Sequence, residues 1–535
     1  MSDTARYEYF LFLLTVILIL ELLSRKLKLP PAAAFILGGT GLALSPWSPE
    51  VTIDPELVMV VFLPPLLMSS AWFTAWREFR KNLSGILLLA VGTTTFTTAA
   101  VGVAAHLVVP ALPWAACFTL GAIVSPPDAV AAEAALERLS LPGRVTSLLQ
   151  GESLLNDATG LVLFRFGVVA ALTGIFRPLQ ALTTFCVVSV GGVLIGLVVG
   201  FLGLFVIRRL RDSDMVIITT VLLAEVSYIG ADHLHVSGVL ATVATGLVLG
   251  WHQHRDFDAE TRLQSHAFWK VLVFLLESVL FILIGLSLRG VLGRLRGTPD
   301  ILHHLVYPVG IVLVAMVLSR FVWLFASDGI VGLLRRRWPE RFARPSVAIS
   351  TIMGWAAMRG VVTLTAALSL PEGFPGRDLA LACAFASILV TVLVQGTTLA
   401  PLIGLLRING ASELRVIQSD ENRAWIAVAE AQLRAIEEAS RLPDGSERHP
   451  RLLEQYRYRL HVTRQYAEDT ATHRPEEIAH YEAVLKAIGA GREEILRLHH
   501  AGQIHDRVLR EMEQAMDMQE IEAAGHLGVS EEGIA

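Results

Sequence analysis

Long apolar runs recur along the first 407 residues, and no other feature limits this chain's fold so strongly. Each covers roughly 18 to 25 residues, the length at which an α-helix crosses about 30 Å of hydrocarbon while satisfying its own backbone polar groups. The composition agrees: 53% of the 535 residues are hydrophobic and 17% charged, with a mean hydropathy of +0.55, whereas globular domains carry about 25% charged residues. A water-soluble domain is excluded for this part. The first run, YFLFLLTVILILELL, leads through SRKLKLPP straight into another apolar run without a small-residue cleavage site, so it reads as a retained span rather than a signal peptide.

Division at Arg/Lys clusters and Pro/Gly breaks predicts about thirteen spans, near 7–23, 31–47, 54–75, 83–107, 112–137, 147–173, 179–207, 213–231, 236–251, 266–288, 300–326, 346–370 and 377–406. The loops SRKLK, WREFRKN, ERLSLPGR, RRLRDSD, HRDFDAETR and RRRWPERFARP fall on one side. They hold roughly eighteen Lys/Arg against about six in the alternate loops, so the positive-inside rule makes them cytoplasmic. The N-terminus is then outside and the C-terminus inside. The expected fold is an all-α polytopic membrane protein, with an odd span count that suits two inverted six-helix repeats joined by a linker helix. Residues 1–407 form the transmembrane domain and 408–535 a cytoplasmic helical domain of regulatory character. The tail is roughly 30% charged, with acids in excess by about nine. Its predicted helices are RAWIAVAEAQLRAIEEASRL, LLEQYRYRLHVTRQYAED and PEEIAHYEAVLKAIGAGREEILRLHHAG, broken by LPDGSERHP and ATHRP.

Against this apolar background a few polar residues stand out. GESLLND brings Glu152, Ser153, Asn156 and Asp157 to the head of a span. Helical spacing places Ser153 with Asp157 on one face and Glu152 with Asn156 on an adjacent one. A carboxylate at membrane depth marks an ion or proton path, although one near the boundary also serves as a cap. In FTLGAIVSPPDAVAAEAAL, Pro126 and Pro127 remove two backbone donors and unwind the helix around Ser125 to Asp128. Asp128 then either caps the following half-helix or lines an ion site, and the two roles are compatible. Arg359, in the middle of TIMGWAAMRGVVTLTAAL, is the basic partner assigned to Glu152, which leaves Asp157 free to titrate. Glu225, Glu277, Arg165 and Arg320 are read as pairs between helices rather than ion ligands. His233, His235, His252, His254 and His266 are read as loop residues that solvent satisfies. Cys117, Cys186 and Cys383 stand alone in apolar runs, without disulfide or metal-ligand spacing.

At GESLLNDA, at the Pro-Pro-Asp break and at the Arg-Gly pair, residues 10 to 406 resemble the monovalent cation:proton antiporter-1 family, the sodium/proton exchangers that include the bacterial NhaP-type proteins. SGVLATVATGLVLG, ESVLFILIGLSL, SRFVW and LVQGTTLAPLIGLL add to the resemblance. It implies that Asp157 binds either Na+ or a proton, with Asn156 beside it and Ser153 as a further Na+ ligand. Asp128 belongs to the family's broken helix, and Glu152 with Arg359 forms a structural salt bridge. Where many members carry an acid after Leu-Pro-Pro-Leu, LPPLLMSS has Ser69; Ser69 and Ser125 are secondary candidates. The familiar Thr-Asp-Pro-Val-Ala is also altered, to Pro127-Asp128-Ala129-Val130-Ala131.

The implied activity is secondary active exchange of Na+, with Li+ as a second cation, for H+ in a bacterial cytoplasmic membrane. A single titrating carboxylate beside an asparagine makes it electroneutral, one for one, with alternating access in a homodimer. No cofactor, enzymatic activity or nucleic-acid partner is expected. The nearest alternative is K+/H+ exchange; a cation channel lacks a repeated carbonyl filter, and no HExxH, GxSxG or phosphate loop supports an enzyme.

Overall fold

The computed structural model describes residues 3–27, 29–45, 55–128, 143–174, 178–295, 305–337, 346–406, 411–441, 447–468 and 470–527. Among them the chain is helical throughout, and it divides into two compact units, Met1–Gly410 and Ala411–Ala535.

In chain order the first unit contains α1 (Asp3–Leu27), α2 (Pro31–Leu44), α3 (Pro55–Val61), α4 (Leu63–Trp72), α5 (Trp76–Leu87), α6 (Thr94–Val108), α7 (Trp114–Val124), α8 (Gly143–Thr173) and α9 (Pro178–Ile207). There follow α10 (Ser213–His233), α11 (Gly238–Asp256), α12 (Ala259–Leu295), α13 (Tyr307–Arg337), α14 (Val347–Trp355), α15 (Val361–Leu368), α16 (Arg377–Val390) and α17 (Gly396–Leu406). A π-helical turn, Leu88–Thr93, joins α5 to α6, and a second, Thr391–Gln395, joins α16 to α17. Seven helices among the described residues are long and apolar enough to cross a membrane. Parts of the predicted spans at 46–47, 54, 129–137 and 300–304 lie outside the described residues.

Local sequence explains the helix starts. Pro31 opens α2, where its missing N–H costs nothing. Asp212 accepts from the backbone N–H of Asp214 and Met215 at the start of α10, and Ser237 accepts from Leu240 N at the start of α11. Leu11, Leu18 and Leu22 on α1, Val190, Val198 and Leu202 on α9, and Val314, Leu318 and Val322 on α13 remain exposed. In water such stripes would be costly, whereas lipid tails cover them without penalty.

Inside, packing depends on small residues, since apolar side chains gain little by leaving lipid for each other. A Cβ on Gly39 would lie 2.3 Å from the Ile282 carbonyl oxygen, and one on Gly285 2.5 Å from that of Ile36, so α2 and α12 cross backbone to backbone. α9 and α11 do the same at Gly196, 2.1 Å from the Ala241 oxygen. A second bundle of α6, α7, α8, α13 and α16 encloses the polar residues described below.

The second unit has α18 (Ala411–Ser440), α19 (Pro450–Glu468), α20 (Thr470–His500) and α21 (Asp506–Leu527). The helices pack as two hairpins, α18 on α19 and α20 on α21. Arg464 pairs with Glu430 across the first at 2.6 Å, and Arg492 with Asp517 and Glu520 across the second at 2.5 and 2.7 Å. Two expectations change here. ATHRP does not break the chain, since α20 runs through it with Pro475 inside, and α21 was not foreseen as a separate helix. Its apolar residues nonetheless recur at helical spacing, with Val508, Met512 and Met516 four apart.

Candidate functional site

Two stretches of non-helical backbone meet beside the second bundle. α7 stops at Val124, where Pro126 and Pro127 end the regular backbone, and residues 125–128 run on without helical hydrogen bonds. The other interruption, residues 356–360 between α14 and α15, contains no proline. The two segments touch directly: the Asp128 backbone N–H donates to the Met358 carbonyl at 2.7 Å. Gly360 makes this approach possible, because a Cβ there would fall 1.7 Å from Asp128 Oδ2.

Each half-helix ends in carbonyls with no intrahelical donor, at the negative end of its dipole. Two buried arginines satisfy them. Arg359 donates from Nε to the Val124 carbonyl at 2.8 Å, from Nη2 to that of Ser125 at 3.4 Å, and from Nη1 to that of Ala357. Its own N–H is held by Thr391 Oγ1 at 2.9 Å. Arg320, on α13, donates from Nε and Nη2 to the Met353 carbonyl, both at 3.1 Å, at the end of α14.

The predicted salt bridge is therefore corrected. Glu152 pairs with Arg320, not Arg359: Nη1 to Oε1 is 2.6 Å and Nη2 to Oε2 2.8 Å, with both residues 1% exposed. The prediction treated 346–370 as one helix with Arg359 projecting from its middle. In fact Arg359 lies in unwound chain, and its guanidinium is taken up by carbonyls of both interruptions. Arg320, read from sequence only as a general interhelical pairing residue, holds the bidentate position.

α8 runs past this crossing. Gly160 lies against Pro126, where a Cβ would be 2.4 Å from the proline Cγ. Asn156 Nδ2 donates to the Pro127 carbonyl at 2.5 Å, while its Oδ1 is buried without a hydrogen-bond partner among the described residues. Asp157 is 8% exposed and makes no hydrogen bond or ion pair with the described residues. Asp128, half-buried, lies within its electrostatic reach. Ser153 is half-buried one turn before Asp157 on the same helix. Ser125 is tied elsewhere, accepting from Thr98 Oγ1 at 3.1 Å and donating to the Ala122 carbonyl at 3.3 Å. Ser69 is buried on α4, and no hydrogen bond joins it to the set among the described residues. The half-helix that Asp128 was expected to cap begins outside the described residues.

Among the other polar residues, Arg165 pairs with Asp232 at 3.5 Å. His252 and His254 lie on α11 and His266 on α12 rather than in loops, with His252 Nδ1 2.8 Å from the Val248 carbonyl. Sequence reasoning missed the interruption at 356–360 and the role of Gly360. The only local sign was a pair of glycines, Gly354 and Gly360, around WAAMR.

Comparison with known proteins gives the family of the chain. Residues 11–404 match the family model described as sodium/hydrogen exchanger, transmembrane. An uncharacterized Na+/H+ exchanger of Mycobacterium tuberculosis is 30% identical over 524 residues, 95% of each chain. A sodium, potassium, lithium and rubidium/H+ antiporter of Bacillus subtilis is 33% identical over 74% of this chain and 60% of its own length. Among solved structures, the sodium proton antiporter MjNhaP1 of Methanocaldococcus jannaschii shares the fold, with a TM-score of 0.58 and 19% identity over 76% of this chain and all of its own. By the family match and these relatives, the chain is a membrane antiporter of the sodium/hydrogen exchanger family.

Proposed function

We propose that the chain exchanges Na+ for H+, one for one and without net charge movement, through competition of the two ions for Asp157. One observation carries the reading: Asp157 is a buried carboxylate with no hydrogen bond or ion pair among the described residues, beside the crossing of two interrupted helices. A carboxylate so placed is costly unless a cation or a proton neutralises it.

The charges around it support the stoichiometry. Glu152 and Arg320 cancel in their bidentate pair, and Asp157 is left as a carboxylate with no ion pair among the described residues. One monovalent cation or one proton neutralises it. The unpartnered Asn156 Oδ1 is an acceptor that ligates without titrating, and Ser153 supplies a second oxygen. The relative from Bacillus subtilis is named for four cations, so K+/H+ exchange is the alternative outcome of the same assay.

In this reading thirteen crossings form two inverted six-helix repeats with α9 as linker, in a homodimer within the bacterial cytoplasmic membrane, N-terminus outside and C-terminus inside. The two interruptions support the repeat, since they fall in the fifth and twelfth predicted spans, the fifth of each half. Alternating access then moves the bundle holding the crossing against the remaining helices.

The test uses protein reconstituted in liposomes with an imposed pH gradient. Proton efflux should follow addition of Na+, ignore an imposed membrane potential and disappear in Asp157→Asn. Full exchange in that variant would overturn the assignment, and a response to K+ alone would replace the cation.

A further inference from the structure

Away from the crossing, one charged pair joins α8 to a helix along which it does not otherwise pack. Arg165 lies eight residues beyond Asp157, about 12 Å further along α8 at 1.5 Å per residue. Its Nη2 is 3.5 Å from Oδ1 of Asp232, in the last turn of α10, and the two side chains are 67% and 59% exposed. Glu225 precedes Asp232 by seven residues, so the two stand within about 20° of one line along α10. Glu225 is half-buried and makes no hydrogen bond or ion pair with the described residues. Tyr228, buried between them, is within electrostatic reach of Glu225, Asp232 and Arg165.

This flank of α10 is neither core nor lipid surface. Val216, Thr220, Ala224, Ser227 and Ala231 are buried against neighbouring helices, whereas Ile218, Leu222, Val226 and Ile229 are exposed as a lipid face. Glu225 and Asp232 lie between these faces, and Asp232 meets Arg165 of the helix that carries Asp157. An ion pair this exposed adds little to stability. Its charges still act on a cation arriving at this end of α8, because carboxylates raise the local cation concentration.

We propose that Arg165 and Asp232 form a charged gate on the outer approach to Asp157, in which the guanidinium competes with the arriving cation for the carboxylates of α10. The proposal rests on the exchange reading above and on its orientation, which puts the Asp232 end of α10 outside. At alkaline pH, where Glu225 is ionised, Arg165, Asp232 and Glu225 sum to one negative charge with the pair intact. Neutralising Arg165 leaves two negative charges to attract the cation. Neutralising Asp232 instead leaves a released guanidinium that offsets Glu225 and repels cations at the entrance. The two substitutions therefore act in opposite directions, on one side of the membrane only.

The cation KM is measured at fixed alkaline pH in right-side-out vesicles and in everted vesicles. Arg165→Gln should lower the outer KM about threefold and Asp232→Asn raise it about threefold, sizes suited to solvent-screened charges. The double variant should return within about twofold of the parent, Arg165→Lys should behave as the parent, and the everted KM should stay unchanged in all four. A merely structural pair would move both single variants the same way, or both sides together, and either result overturns the gate, as does an unchanged outer KM. Asp157→Asn is run in parallel: exchange surviving there defeats the reading of Asp157, whereas the gate is judged on the sidedness and sign of the KM changes.

Discussion

Two arginines thirty-nine positions apart compete for one glutamate, and their surroundings decide between them. Arg320 projects from regular helix with its fork free to meet both oxygens of Glu152. Arg359 sits where the backbone has opened, so carbonyls from both interruptions reach it first. Removing one partner of a buried pair leaves the other charge uncompensated, at a cost of about 3–5 kcal/mol. Thermal unfolding in detergent should therefore show Glu152→Ala and Arg320→Ala similarly destabilised, with Glu152→Leu/Arg320→Met recovering much of the loss. Equal melting of Glu152→Ala and the parent would disprove the pairing. Gly360 makes a sharper point, because a methyl group there would overlap the Asp128 carboxylate. Gly360→Ala should abolish cation-driven proton efflux in liposomes while helical content by circular dichroism stays unchanged; normal efflux would show that Asp128 is dispensable in its present place.

At the scale of elements, the apolar runs were legible because their length matches the hydrocarbon layer, and the Pro126-Pro127 interruption because proline removes donors wherever it stands. The second interruption was hidden: WAAMRG has ordinary helix formers, and it opens because the Asp128 N–H and the Thr391 hydroxyl offer its backbone other partners. Those partners come from elements far away in sequence. Helix crossings show the same dependence. Gly39 and Gly285 are single residues in apolar runs, yet each faces a carbonyl oxygen of the other helix. Gly39→Leu should prevent close approach of α2 and α12 and abolish a monodisperse peak in size-exclusion chromatography. Gly404→Ala, with open space around its Cβ, should elute as the parent does; a monodisperse Gly39→Leu protein would refute the crossing as a packing constraint.

The whole molecule joins a lipid-matched unit to a polar helical one, and the physics of the second is that of water. In its second hairpin His499 Nε2 lies 2.5 Å from Oδ1 of Asp506, closing the turn between α20 and α21. The imidazole beside Asp506 holds that carboxyl below its ordinary range, first by the hydrogen bond and then by charge. A carboxyl depressed in the folded state contributes stability that is fully present above its unfolded pKa of about 3.9 and is lost as pH falls through the folded value. Hydrogen-exchange protection at residues 501–505 of the full chain should thus fall when the pH drops below about 4, and Asp506→Asn should lack that acid-dependent loss. Identical profiles would show that the contact does not hold the turn. The amino-acid sequence by itself determined the solvent each unit requires, the helical character of both and the polar set around Asp157, because hydrocarbon length, helical period and the cost of buried charge are local properties of a chain. The partner of Glu152, the opening of 356–360 and the seat of Arg359 were decided only by tertiary structure. Each is a competition among donors and acceptors brought together from distant segments, and their relative distances do not exist until the chain has folded.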